Sequence, residues 1–221
     1  MSKYNIYTIE EVPAELRYIQ RAIICNAQNE SDVSFENINI DDFENESGIA
    51  NYLLDLILEK KTNLIIIDYK LNSKNKSFDG NLIFNDLLNR VPLFPLVILT
   101  NRPEECADQF IVDSDKIYKK ASLFKLDSDS SKELVSKLFH NIDLYLKRLR
   151  EFEEMEKEIE KNCDKKSDIK KIIECDEKMS KLIPGSSTNV SRRLFTEDFF
   201  DKFSEELQEA VDVIEKYYEN K

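Results

Sequence analysis

The sequence predicts an α/β protein built on a five-stranded, parallel, doubly wound sheet, followed by an α-helical C-terminal extension. Three observations predict it. First, Leu64-Ile65-Ile66-Ile67 and Leu96-Val97-Ile98-Leu99 are short, unbroken apolar runs rich in β-branched residues, as strands covered on both faces require. Second, stretches with helical apolar spacing alternate with such runs in the order βαβαβαβαβ, and then a helix. Third, the runs stop on polar residues, Asp68 and Thr100, that a parallel sheet would deliver to its carboxyl edge.

Residues 4–9 are β-prone and end at Glu10-Glu11, after which Pro13 stands where a helix begins. Leu16, Ile19, Ile23 and Ile24 then fall at helical spacing over residues 14–27. Val33, Phe35, Ile38 and Ile40 give a second strand whose alternation slips once. Leu53, Leu54, Ile57 and Leu58 share a helical face and lead into the strand ending at Asp68. Residues 70–79 are polar and read as a structureless loop, closed by Asp79-Gly80. Leu82, Ile83, Leu87 and Leu88 mark the next helix, and Pro92 and Pro95 bracket a turn before the Thr100 strand. Lys116-Ile117-Tyr118-Lys119-Lys120 is a short strand ending on lysines.

From Ser128 to about Asn162 the chain reads as one helix, with an apolar stripe of Leu134, Leu138, Ile142, Tyr145, Leu146 and Leu149. The stripe thins into Glu and Lys over residues 152–171, which favours an exposed helical connector or coiled coil. Pro184-Gly185-Ser186-Ser187 is a linker signal. A last helix after Thr196-Glu197-Asp198 carries Phe199, Phe200, Phe203, Leu207, Val211 and Ile214. The division expected is a first domain over 1–150 and a helical extension over 151–221, suited to dimerisation or partner binding.

Composition excludes several function classes. The chain has 221 residues, a formal charge of −12 and 41% hydrophobic content, enough for an ample core. Residues 1–150 carry 19 Lys+Arg against 24 Asp+Glu, and 151–221 carry 13 against 20, so neither part offers a basic surface to nucleic acid or an anionic membrane. The four cysteines form no Cys-x-x-Cys pair and there is one histidine, His140, which argues against a zinc site. Three glycines in all, with no glycine-rich loop after the first strand, argue against a nucleotide or flavin binder. The chain shows no signal peptide or membrane span, so a cytoplasmic location is expected.

The strand ends therefore offer Glu10-Glu11, Asp68, Thr100 and a lysine to one rim. Clustered carboxylates suit a hard divalent cation such as Mg²⁺, and a carboxylate, a hydroxyl and an ammonium together suit phosphoryl transfer. Alternation along a strand sends Lys119 and Lys120 to opposite faces. Lys119 is the one expected at the site, because it directly follows Ile117-Tyr118. Lys70, two positions past Asp68, is a further cation within reach of it.

This ordered set resembles the receiver domain of two-component response regulators: an acid pair after the first strand, an acceptor Asp after the third, Ser or Thr after the fourth, and Lys after the fifth. The resemblance covers roughly residues 3–148 and implies a flavodoxin-like, CheY-like fold. It implies that Glu10, Glu11 and Asp68 hold Mg²⁺, that Asp68 is the phospho-acceptor, that Thr100 is the switch hydroxyl, and that Lys119 contacts the phosphoryl group. It implies a histidine kinase or phosphotransfer protein as donor, and output by protein contact through the C-terminal helices, with homodimerisation as one route. No conventional enzyme is expected, only Mg²⁺-dependent self-phosphorylation and dephosphorylation at Asp68. The sequence departs from the family in having Glu10-Glu11 for the usual aspartates, Asn101 for a small residue, and Ala121 near the usual proline. Gly80 also follows Asp68 by twelve positions with no proline between, a longer loop than the family's. The alternative is a pseudo-receiver, an interaction or scaffold module that works without phosphorylation.

Overall fold

The structure, a computed structural model, describes residues 4–27, 32–107, 114–126 and 128–162. The linker and last helix expected beyond residue 162 lie outside the described residues. In chain order the elements are β1 (Tyr4–Ile9), α1 (Pro13–Asn26), β2 (Val33–Asn37), α2 (Glu46–Leu58), β3 (Leu64–Asp68), β4 (Lys70–Asn72), β5 (Ser77–Asp79) and α3 (Gly80–Arg90). Then follow β6 (Leu96–Thr100), α4 (Pro103–Ala107), β7 (Ile117–Lys119) and α5 (Asp129–Asn162).

Five strands form one parallel sheet in the order β2-β1-β3-β6-β7, as the apolar runs require. The chain leaves β1 for β2 on one side and crosses to β3 on the other, so strand order reverses between β1 and β3, where the sheet opens a crevice at its carboxyl edge. Both faces are covered. Ile6, Leu64, Ile66, Val97 and Leu99 pack with Ile19 and Ile23 of α1 and with Val135, Leu138 and Ile142 of α5. Ile9, Ile65, Ile67 and Ile98 pack on the other face with Leu53 and Ile57 of α2 and with Ile83, Phe84 and Leu87 of α3. Each such side chain contributes about 1.5–3 kcal/mol by leaving water.

Two local expectations are corrected. The stretch 70–79 is not a structureless loop: β4 and β5 pair antiparallel, Lys70 with Asp79, Leu71 with Phe78 and Asn72 with Ser77. Each polar strand contributes one apolar residue to the interior, Leu71 and Phe78, which is too little to announce a strand by periodicity. The hairpin tip is fastened to the Ile40–Asp42 turn. Ser73 Oγ donates to Asp41 Oδ1 at 2.5 Å, and Lys76 Nζ donates to the carbonyls of Asp41, at 2.8 Å, and of Phe43. The second strand also stops early, at Asn37; Ile38 N still donates to Thr8 O at 2.8 Å, and Ile40 enters the core from a 3₁₀ turn.

Helix α5 runs unbroken through residue 150 to Asn162. Its first half lies on the α1 face, whereas Tyr145 and Phe152 join the core of the opposite face. Tyr145 meets Phe94 edge-on at 5.2 Å, and Lys60 Nζ pairs with Glu153 Oε1 at 2.5 Å. Lys60 occupies the left-handed position that closes α2, with φ 56°, and the Lys60 and Lys61 amides return to the Ile57 and Leu56 carbonyls. Among the described residues, no helix is long and apolar enough to cross a membrane.

Candidate functional site

Pleat parity decides which strand-end residues meet. In a parallel ladder, paired residues point to the same face and successive residues alternate. Ile9 pairs with Ile67, Asp68 with Leu99, and Leu99 with Tyr118. One residue beyond Ile9, Glu10 therefore shares Asp68's face, toward α1. Two residues beyond Tyr118, so does Lys120.

The geometry follows that parity. Lys120 Nζ lies 2.6 Å from Glu10 Oε2, 2.8 Å from Asp68 Oδ2 and 2.6 Å from Glu15 Oε2. Lys120 and Glu10 are almost wholly buried, whereas the side chains of Asp68 and Glu15 retain 15% and 24% exposure and face the mouth. The remaining carboxylate oxygens are also held. Glu10 Oε1 accepts from Val12 N at 2.9 Å, Asp68 Oδ1 from Tyr69 N at 2.7 Å, and Glu15 Oε1 from Asn101 Nδ2 at 3.1 Å. Helix α1 has no side-chain cap from Val12 itself, so the Glu10 carboxylate fills that role at its positive end.

The structure thus brings Lys120, not the expected Lys119, to Asp68. Lys119 ends β7 opposite Thr100 with its side chain exposed, and Lys120 starts a 3₁₀ turn that carries it inward. Glu15 was not singled out from sequence. The available signal was an acid at the third position of a helix whose first residue, Pro13, follows the strand-end acids almost at once. Glu11 points to the opposite, α2-facing side. Its Oε1 is buried without a hydrogen-bond partner, and a backbone hydrogen bond at Ile40 engages its carboxylate. Thr100 is buried at the same rim, but its parity differs from that of Asp68, and its Oγ1 accepts from Arg102 N at 3.0 Å. Lys70 does not fold back on Asp68; its Nζ pairs with Asp79 Oδ2 at 3.1 Å and lies over the Tyr69 ring.

Three carboxylates on one ammonium leave two negative charges in excess. Burial pushes the carboxyls of Glu10 and Asp68 above their ordinary range, against the downward pull of Lys120. Burial also raises Glu11, and the charges of Asp41 and Asp68 add to the rise. Burial alone would lower Lys120, but Asp68, Glu10 and Glu15 together outweigh it and hold the ammonium charged.

The oxygen-rich donor set suits a hard divalent cation. One oxygen each of Glu10, Glu15 and Asp68 lies within 4.8 Å of the others, and the orphaned Glu11 Oε1 adds a buried acceptor on the opposite side of Asp68's strand end. No protein-family model matches the chain, and no curated protein matches it in sequence.

Proposed function

We propose that the chain is a receiver-like signalling protein in which Asp68 accepts a phosphoryl group, with a flavodoxin-like, CheY-like arrangement of its sheet. The observation that carries this reading is the meeting of Asp68, Glu10 and Lys120 at the carboxyl edge of β1, β3 and β7, with Thr100 on the strand between β3 and β7. An acid, a countercharge and a hydroxyl on a rigid rim are the parts that phosphoryl transfer needs, because its catalysis is positioning and charge neutralisation.

In the proposed step an Asp68 oxygen bonds to the phosphorus of a phosphohistidine donor. The phosphorus–nitrogen bond breaks, and the imidazole leaves with the electron pair and takes a proton from solvent. Lys120 donates to the phosphoryl oxygens as the charge builds. Mg²⁺, when bound, supplies the remaining neutralisation. Glu10 and Asp68, whose oxygens lie within 4.8 Å of one another, would hold it, and Glu10 Oε2 has no hydrogen bond to give up. The Thr100 hydroxyl would read the new charge by leaving Arg102 N. The donor would be a histidine kinase or phosphotransfer protein, and output would run through the chain beyond α5 to a protein partner. A cytoplasmic setting fits this reading.

The test is incubation with a small phosphodonor and Mg²⁺, followed by intact mass. An adduct that disappears in Asp68→Ala supports the reading, and an adduct that persists in that variant sinks it. A second reading, a docking module that works without phosphate, is favoured by one observation: the Lys120 ammonium is already ion-paired with three carboxylates, and both Asp68 oxygens have partners within the protein. That reading predicts no adduct and no spectral response to Mg²⁺ around Glu10, Glu11 and Asp68.

A further inference from the structure

We infer that Glu15 is a releasable gate on Asp68: its carboxylate must leave Lys120 before a phosphoryl group can be received. The inference rests on the receiver reading above and extends it to a residue that this reading leaves without a role. A lysine ammonium has three N–H donors. Lys120 Nζ is ion-paired with Glu10, Asp68 and Glu15 at 2.6, 2.8 and 2.6 Å, and the hydrogen bond it donates goes to Glu15 Oε2, so Glu15 holds the donor that an incoming phosphoryl oxygen would take.

The three carboxylates are not equally free to move. Glu10 is 3% exposed, and its second oxygen caps α1 through Val12 N. Asp68 is the attacking group, held at its base by Tyr69 N. Glu15 is the most exposed of the three, stands on the first turn of α1, and is tied by its second oxygen only to the side chain of Asn101, itself exposed. Glu15 is therefore the carboxylate that can swing into solvent and leave one Lys120 donor facing Asp68. Until it does, it places a full negative charge within 4.8 Å of the attacking carboxylate and opposes the approach of an anionic donor.

The experiment follows Asp68 adduct formation by intact mass on the full chain, with acetyl phosphate and Mg²⁺, in wild type, Glu15→Gln and Glu15→Ala. Each is repeated in an Asp68→Ala background. Both Glu15 variants are expected to label about tenfold faster than wild type, the scale on which one unit charge this close acts at a partly exposed site. Structural damage would slow labelling rather than speed it, so the direction of change separates gating from misfolding. Equal rates overturn the gate and leave the receiver reading standing. Slower labelling in Glu15→Gln makes Glu15 part of the binding machinery and also overturns the gate. No Asp68-dependent adduct in any variant overturns both, because freeing Lys120 would then open nothing.

Discussion

A Cβ placed on Gly80 would lie 1.9 Å from the carbonyl oxygen of Asp68, a residue twelve positions earlier. The β4–β5 hairpin absorbs the intervening chain, and the Gly80 amide donates to Tyr69 O at 2.9 Å. The start of α3 is thereby pressed against the backbone of the candidate acceptor. Gly80→Ala must push the two segments apart. It should destabilise the protein by about 3 kcal/mol, the upper range for overpacking, with loss of Asp68 labelling beyond what unfolding explains. A urea melt within about 0.5 kcal/mol of wild type would contradict the contact.

Lys120 and Lys119 are neighbours in sequence with opposite expected costs. Lys120→Met leaves Glu10, Asp68 and Glu15 without their shared counterion, two of them largely buried, and should cost about 3–5 kcal/mol. Lys119→Ala removes an exposed side chain and should stay within about 0.5 kcal/mol. Chemical denaturation of the pair checks this, and equal costs would place the wrong lysine at the site.

The main strands, and the place of Asp68 at the carboxyl end of β3, were legible because a strand buried on both faces is written in uninterrupted Ile, Leu and Val. The lysine was misassigned because sequence order does not give register. Once Leu99 is known to pair with Asp68 and with Tyr118, parity selects Lys120. The hairpin was hidden because Leu71 and Phe78 are single apolar residues among polar ones. Glu15 was hidden because a first-turn acid is the ordinary complement to a helix dipole, and nothing local says that it reaches across to Lys120, 105 residues away.

Charge excess at the site gives a pH dependence. The folded pKa of Asp68 lies above its ordinary value, so between the two values the native state holds more protons than the unfolded chain. This contribution to stability is therefore greatest at or below the ordinary carboxylate pKa, and is lost as pH rises through the raised folded value. Lys120 acts in the other window: its contribution persists at neutral pH and disappears only above the ordinary lysine value. Asp68→Asn removes one excess charge while Glu10 and Glu15 still hold Lys120. It should raise Tm at pH 7 by about 3 °C, on the order of 1 kcal/mol, with the gain shrinking toward pH 4. A gain that does not shrink on acidification would show that burial of the charge is not its cause.

Helix α5 carries the folded unit past residue 150. Phe152 is 8% exposed in the core on the α2 and α3 face, and the next residue, Glu153, pairs with Lys60 at the end of α2. The stripe that begins at Leu134 therefore carries structural weight past residue 150, on a stretch whose composition is already mostly charged. Phe152→Ala should cost about 3 kcal/mol, as removal of a buried aromatic ring does. Leu144→Ala, on the same helix but 37% exposed, should cost far less. The exposed Lys60–Glu153 pair adds little by itself, so Glu153→Gln should change stability by under about 1 kcal/mol. Thermal melts of the three variants check the ranking. A Phe152→Ala protein as stable as Leu144→Ala would mean that the helix beyond residue 150 is an appendage rather than part of the core.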